Sequence, residues 1–405
     1  DEIYQMIKHD FAQRYPKTMQ TGRPSTPVEV ILRMLVVKRL YGWSYEKTER
    51  HVKDSLVLRR FCRVYFEQVP DEKTLLRWAN LIEPETLVVL NARITTMATA
   101  LKVTGGRKLR TDGTVVETNI HHPTDSSLLA DGVRVLSRTL KQAQQALPTT
   151  NLSKETFRDR TRSAKRAARK IARQAQRGKA AVKKTYHHLV NTTQASVHQA
   201  QQVLEELKQV GDHTAERLCQ TLETFIPRVE QVISQTTRRI FQEEQVPAAE
   251  KLVSIFEPHS AIIKRGKVNR DTEFGHKIWL DEVEGGIISG YRMLDGNAAD
   301  SEQWQPSLDH HCQQFARPPD LASADRGVYS EPNETYATQL SVKRVILPKP
   351  GTKSQARRDY ERQRWFKRGR RWHAGVEGRI SAVSYTHLRA HETVTLISYA
   401  VFCLK

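Results

Sequence analysis

Two groups of strand-forming segments in this chain are separated by a long stretch that no sheet could absorb. Residues 121–255 hold few aromatics and are rich in Ala, Gln, Lys and Arg. That composition suits two to four long helices in an antiparallel arrangement, with breaks near Pro148 and Gly211. On one side stands 108–120, KLRTDGTVVETNI; on the other, strand patterning returns near Ile262. The chain must therefore leave a sheet and re-enter it. Closure entropy grows only logarithmically with loop length, so the excursion costs little if its helices bring the two ends together.

The strand before the excursion carries Asp112. Thr114, Val115, Val116 and Thr118 are β-branched and fit a pleated, partly buried surface. Gly113 leaves room for a close approach. An isolated aspartate here reads as an edge residue beside a turn, but matching acids follow downstream. FGHKIWLDEV and GGIISGYRML form a hairpin pattern around Glu284, Gly285 and Gly286. Residues 301–315 read as a helix, and PDLASADRG is a short strand delivering Asp325 at its end. SVKRVIL is another strand, stopped at Pro348, and a basic helical segment carrying Glu377 follows.

With the excursion removed, this order is that of an α/β ribonuclease-H-like catalytic domain with a large α-helical insertion. Asp112 lies on the first strand, Asp325 at the end of the fourth, and Glu377 on a late helix. Three such carboxylates can hold two divalent cations, Mg2+ or Mn2+, because these hard ions take oxygen ligands and leave open positions. Asp125 reads as a helix cap, Glu117 as structural, and Asp295, Asp300 and Asp320 as caps at turns. His121-His122 and His310-His311-Cys312 lack the paired spacing of a zinc site.

Residues 1–105 read as short helices, with Gly105-Gly106 as the boundary to the strand. Thr26 is placed as the N-cap of a helix with Pro27 in its first turn, Gly42 ends that helix, and Ser44 and Asp71 cap later ones. A helix-turn-helix DNA reader would turn Lys73 and Arg77 to DNA; a plain helical bundle fits the same pattern.

The net charge of +20 favours a polyanionic partner. Residues 151–184 alone hold thirteen Lys or Arg against two acids. This is either a solvated helical face or one that tracks phosphates, through Arg169, Lys170, Arg173 and Arg177. Further on, Trp365, Phe366 and Trp372 are expected to point inward while Arg364, Lys367 and Arg371 face DNA; Lys277 joins the same DNA-binding set. The four cysteines form no CxxC pair, which suits a reducing cytoplasm. No apolar run approaches the roughly 18 residues of a membrane span.

These stretches carry a resemblance. TDGTVVETNIHHPTDSSLLADGVRVL resembles the first catalytic block of the DDE transposases of bacterial insertion sequences, ADRGVYS the second, and RRWHAGVEGRIS the third. RPSTPVEVILRMLVVKRLYGWSYEKTERHV resembles their helical front region, so the similarity spans roughly residues 20–381. It implies a metal-binding catalytic triad of Asp112, Asp325 and Glu377. It also implies DNA cleavage and strand transfer at element ends, a homodimer on DNA, and a cytoplasmic, nucleoid-associated setting. Two departures stand out. Arg370 and His373 occupy places where some related transposases carry tyrosine and arginine, and the basic residue usual beyond the glutamate is missing. A catalytically inactive DNA-binding remnant and a ribonuclease-H-like nuclease that does not transpose are the alternatives. From Ala382 the chain reads AVSYTHLRAHET and then ISYAVFCLK, which looks like a translated sequencing-library adapter. The expected organisation is a helical DNA-binding domain over 1–105, a catalytic domain over 106–381 and a non-native tail over 382–405.

Overall fold

The computed structural model describes residues 2–12, 26–146, 157–174, 179–267 and 270–387. Among these the protein is mixed α/β, with fourteen α-helices and one mixed six-stranded sheet. It divides into two compact units, Asp1–Asn119 with Lys277–Lys405, and Ile120–His276.

The first unit opens with six helices: α1 (Glu2–Ala12), α2 (Val28–Tyr41), α3 (Tyr45–Asp54), α4 (Leu56–Cys62), α5 (Glu72–Ala79) and α6 (Pro84–Ala100). Their ends follow local chemistry. Ser44 Oγ accepts from the Lys47 N–H, and Asp71 Oδ1 accepts from that of Thr74 at 2.6 Å. Gly42 ends α2 at φ 63°, a conformation that costs glycine little. Thr26 does not cap α2. Pro27 precedes the helix directly, and its carbonyl takes the N–H groups of Val30 and Ile31. Ile31, Met34, Leu35, Val52, Leu75, Ile82 and Leu87 build the core of this bundle. Buried Asp10 ties α1 to α6 by accepting from the Glu83 N–H and from Thr86 Oγ1.

The strands are β1 (Lys108–Glu117), β2 (Ala261–Lys267), β3 (Arg270–Val283), β4 (Ile288–Leu294), β5 (Leu321–Ser323) and β6 (Arg344–Ile346). β1 lies between β3 and β5, β6 lies beyond β5, and β4 pairs with β3. β5 runs parallel to both β1 and β6, whereas β3 and β4 form the antiparallel hairpin. Helices α11 (Trp304–Phe315), α12 (Glu331–Gln339), α13 (Gln355–Arg362) and α14 (Arg364–His387) complete this unit. A second core, around Leu109, Trp279, Trp304, Leu308, Ala322 and Leu347, lies within it. Gly369 brings α14 onto the sheet, since a Cβ there would stand 1.7 Å from Ile346 Cδ1.

The entry into β1 is held by one side chain. The Glu284 carboxylate accepts from the backbone N–H groups of Gly105, Arg107 and Lys108 at 2.8–2.9 Å. Burial pushes this carboxyl upward, but the three amides outweigh it and hold the group below its usual range. Gly106 has φ 62°, and a Cβ on it would lie 2.5 Å from the Phe315 ring.

The second unit contains α7 (Asp125–Ala146), α8 (Thr161–Gln174), α9 (Lys179–Lys208) and α10 (His213–Ile240). All four lie in the chain between β1 and β2. Gly211, at φ 66°, turns the chain between α9 and α10, while Pro148 lies outside the described residues. Asp125 is not the cap of α7. Thr124 Oγ1 accepts the Ser127 N–H, and Asp125 is buried in an ion pair with Arg239 at 2.9 Å. β2 pairs with the first half of β3 inside this unit.

Candidate active site

Side chains on β1 alternate between the two faces of the sheet. Leu109, Thr111 and Gly113 fall on one face, Arg110 and Asp112 on the other. Arg110 shows what covers its face. It is almost fully enclosed and grips Glu282 of β3 with two bonds, Nε to Oε2 at 2.8 Å and Nη2 to Oε1 at 2.6 Å. Its Nη1 donates to the Trp372 carbonyl of α14, and its guanidinium lies 4.9 Å from the centre of the Trp372 ring. Gly375 leaves room for it, because a Cβ there would sit 3.0 Å from Nη1. One side chain thus joins β1, β3 and α14, and Asp112 shares its face two residues on.

Asp325 follows β5, which pairs with β1 in parallel. Lys108 pairs with Leu321, Leu109 with Ala322 and Arg110 with Ser323. The pairing ends there: Asp112 lies two residues further along β1, and Asp325 lies two residues past the last residue of β5. Asp325 is exposed and stands before a short 3-10 turn, Arg326–Val328, without capping it. Its carboxylate is therefore not consumed by its own turn. Glu377 lies on α14, five residues beyond Trp372; its side chain is outside the described residues.

His373 belongs to the same neighbourhood. Burial pushes its imidazole down to about 4, the negative charge of Asp325 opposes that shift, and Arg110 adds to it. Other histidines have structural posts. His311 is buried with Nε2 against the Gly106 carbonyl at 2.9 Å, and burial holds it near 4. Asp281 is buried beside Arg292, and desolvation raises its carboxyl despite that cation. Among the described side chains, no three His, Cys, Asp or Glu come together as a metal cradle, a census that does not include Glu377.

Asp300 was not legible as part of this region. It caps no helix. A Cβ on Gly113 would lie 3.2 Å from its Oδ1, and a Cβ on Gly327 would lie 3.8 Å from its Oδ2. It thus sits between the residue after Asp112 and the turn after Asp325. The glycines that follow these acids closely were the available signal, but only the tertiary fold shows what they make room for. Lys277 holds Asp300 at 2.8 Å and donates to the Ala298 carbonyl at 2.6 Å. Two of its three donors are used within the protein.

The other basic positions are solvent-facing. Lys73 and Arg77 are exposed one turn apart on α5, and Arg364, Lys367 and Arg371 are exposed on α14. Phe366 of α14 is fully buried. Arg169, Lys170 and Arg173 are exposed on α8, and Arg177 lies outside the described residues.

Comparison with known proteins adds one finding. Residues 1–81 match a family model described as a transposase domain (DUF772). No curated protein and no solved structure matches the chain. Among the described residues, no helix is long and apolar enough to cross a membrane.

Replacing Arg110 by Met would leave Glu282 charged and buried without this partner, a change expected to cost about 3–5 kcal/mol. Adding Glu282→Gln to that variant should recover part of the loss. Urea denaturation of both proteins, followed by circular dichroism, checks this; equal stability of Arg110→Met and the parent would show the pair to be dispensable.

Proposed function

We propose that this chain is a DDE-type transposase, cutting DNA at the ends of an insertion sequence and joining them to a target. In this reading its sheet is ribonuclease-H-like, and Asp112, Asp325 and Glu377 are its metal ligands. The observation that carries the reading is the parallel pairing of β1 and β5, which runs to Arg110 beside Ser323, two residues before Asp112 on one strand and two before Asp325 just past the other. Three others support it. The strand neighbours, β4 on β3, β3 by β1, β1 by β5 and β5 by β6, match those expected of that fold. Arg110 and Asp112 share the face covered by the helix that bears Glu377. The front of the chain matches a transposase domain.

The donor set suits Mg2+ or Mn2+, being carboxylates at a strand exit and one of them exposed. When bound there, two such ions would supply an activated water or 3′-hydroxyl and charge neutralisation at the leaving oxygen. The rest falls to the chain itself. The Arg110–Glu282 pair fixes the strand beneath Asp112. Arg364, Lys367 and Arg371 offer cations to phosphates from the helix of Glu377, while Lys73 and Arg77 do so from the front bundle.

The excursion has its own part as a DNA grip. On α8, Ala164, Ala167 and Ile171 are buried, while Arg162, Lys165, Arg166, Arg169, Lys170 and Arg173 are exposed. Among the described residues none of these six is ion-paired with an acid. Arg162 and Arg166, Lys165 and Arg169, Arg166 and Lys170, and Arg169 and Arg173 stand one helical turn apart. Each like-charge pair costs about 0.2–0.5 kcal/mol in an isolated helix. A helix that tolerates this without acids is relieved by a polyanion.

Asp112→Asn or Asp325→Asn should abolish metal-dependent cleavage of element-end DNA, in a gel assay, while leaving binding intact. Cleavage that survives either change would remove that acid from the chemistry. Binding without cleavage by the parent would favour an inactive remnant.

Changing Arg169, Lys170 and Arg173 together to Gln should flatten the slope of log affinity against log salt by up to about 3 units, at about 0.9 per phosphate contact. Fluorescence anisotropy across a salt series measures it, and an unchanged slope would mean that the face is only solvated.

A further inference from the structure

The turn between α2 and α3 carries a short stack of aromatic rings. Gly42, at φ 63°, donates its N–H to the Arg39 carbonyl, and Trp43 donates to that of Lys38 at 3.0 Å. Ser44 Oγ then caps α3. This tight turn sets Tyr41 and Trp43 face to face, with ring centres 4.4 Å apart and planes 16° from parallel. The Trp43 indole also stacks on His51 of α3, at 4.2 Å and 25°. Three rings thus lie in series. Trp43 packs against the core of the front bundle, but Tyr41, at the end of the series, stays 58% exposed. Trp43 covers one face of its ring, so that exposure belongs to the other face and the edge. A flat surface, fixed by its neighbours, is held toward water. Stacking of this kind continues readily onto another ring.

Cations gather around the stack. Lys38 and Arg39 end α2, and Lys47 Nζ lies 5.9 Å from the centre of the Trp43 ring. Arg50 is exposed one turn beyond Lys47, on the face of α3 that bears His51. Among the described residues neither Lys47 nor Arg50 is ion-paired, whereas Glu49, between them in the chain, is turned to Lys53 and to the Glu72 N–H. We infer that this stack is a platform for an unpaired base of single-stranded DNA. The base continues the ring series on the open face of Tyr41, and its flanking phosphates meet Lys47 and Arg50. Every base has a π face, so such a platform reads strandedness and not sequence. A base within a duplex is already stacked on both sides and has no face to offer. The inference shares DNA as the partner with the transposase reading and does not depend on the three acids.

The test titrates the 405-residue chain, by fluorescence anisotropy, with a short labelled oligothymidylate and with a duplex of equal length. Tyr41→Ala should weaken single-strand binding about tenfold or more, the loss of one base stack, and leave duplex binding unchanged. Tyr41→Phe keeps the ring and should keep both affinities. Iodouracil placed in the single strand should cross-link on illumination to Tyr41 or Trp43 of the unaltered chain, a readout that needs no variant. Single-strand affinity unchanged in Tyr41→Ala, or an equal loss on both probes, overturns the platform and leaves the transposase reading standing. Cross-links confined to other segments overturn it in the same way. Failure of the parent chain to bind either probe overturns DNA as the partner, and the inference with it.

Discussion

The buried guanidinium of Arg110 is the contact on which the geometry of the sheet unit depends. It is bound by both oxygens of Glu282 and by the backbone of α14 at Trp372. Removing a charge of this kind from water is costly, and only bidentate geometry with further donors satisfied makes it tolerable. The return is directional. β1 is held against β3 on one side, α14 is laid across its face, and the next residue on that face is Asp112. Gly369 and Gly375 are the complementary part of the arrangement. One lets the helix approach Ile346 and the other leaves space for the guanidinium.

Much of this was legible along the chain, because the signals were local. β-branched residues marked β1, Ser44 and Asp71 announced their helices, and the composition of 121–255 marked the excursion that becomes α7 to α10. The order of the acids was legible too. The pairing of β1 with β5 was not, since nothing local sets Lys108 beside Leu321. The place of Asp300 was not legible for the same reason: it reads as a cap at a turn, and only the fold brings it to 2.8 Å from Lys277, under the glycine that follows Asp112. Thr26 failed on a finer point. A proline already in extended geometry starts the helix by itself, and its own carbonyl takes the first N–H groups.

Charge is distributed by a similar logic. Where the chain needs rigidity, cations meet acids, as at Arg110 with Glu282 or Arg357 with Glu334 and Glu361. Where it is proposed to meet DNA, as on α8, cations stand without described acidic partners.

The central claim is that Asp112, Asp325 and Glu377 converge on one divalent centre. Iron-mediated affinity cleavage tests it most directly. Fe2+ loaded in place of Mg2+, with ascorbate and peroxide, cuts the backbone next to the bound ion. The account predicts cuts clustered at 112–113, 325–327 and near 377, suppressed by excess Mg2+. Cuts confined to other segments, or indifferent to Mg2+, would contradict it.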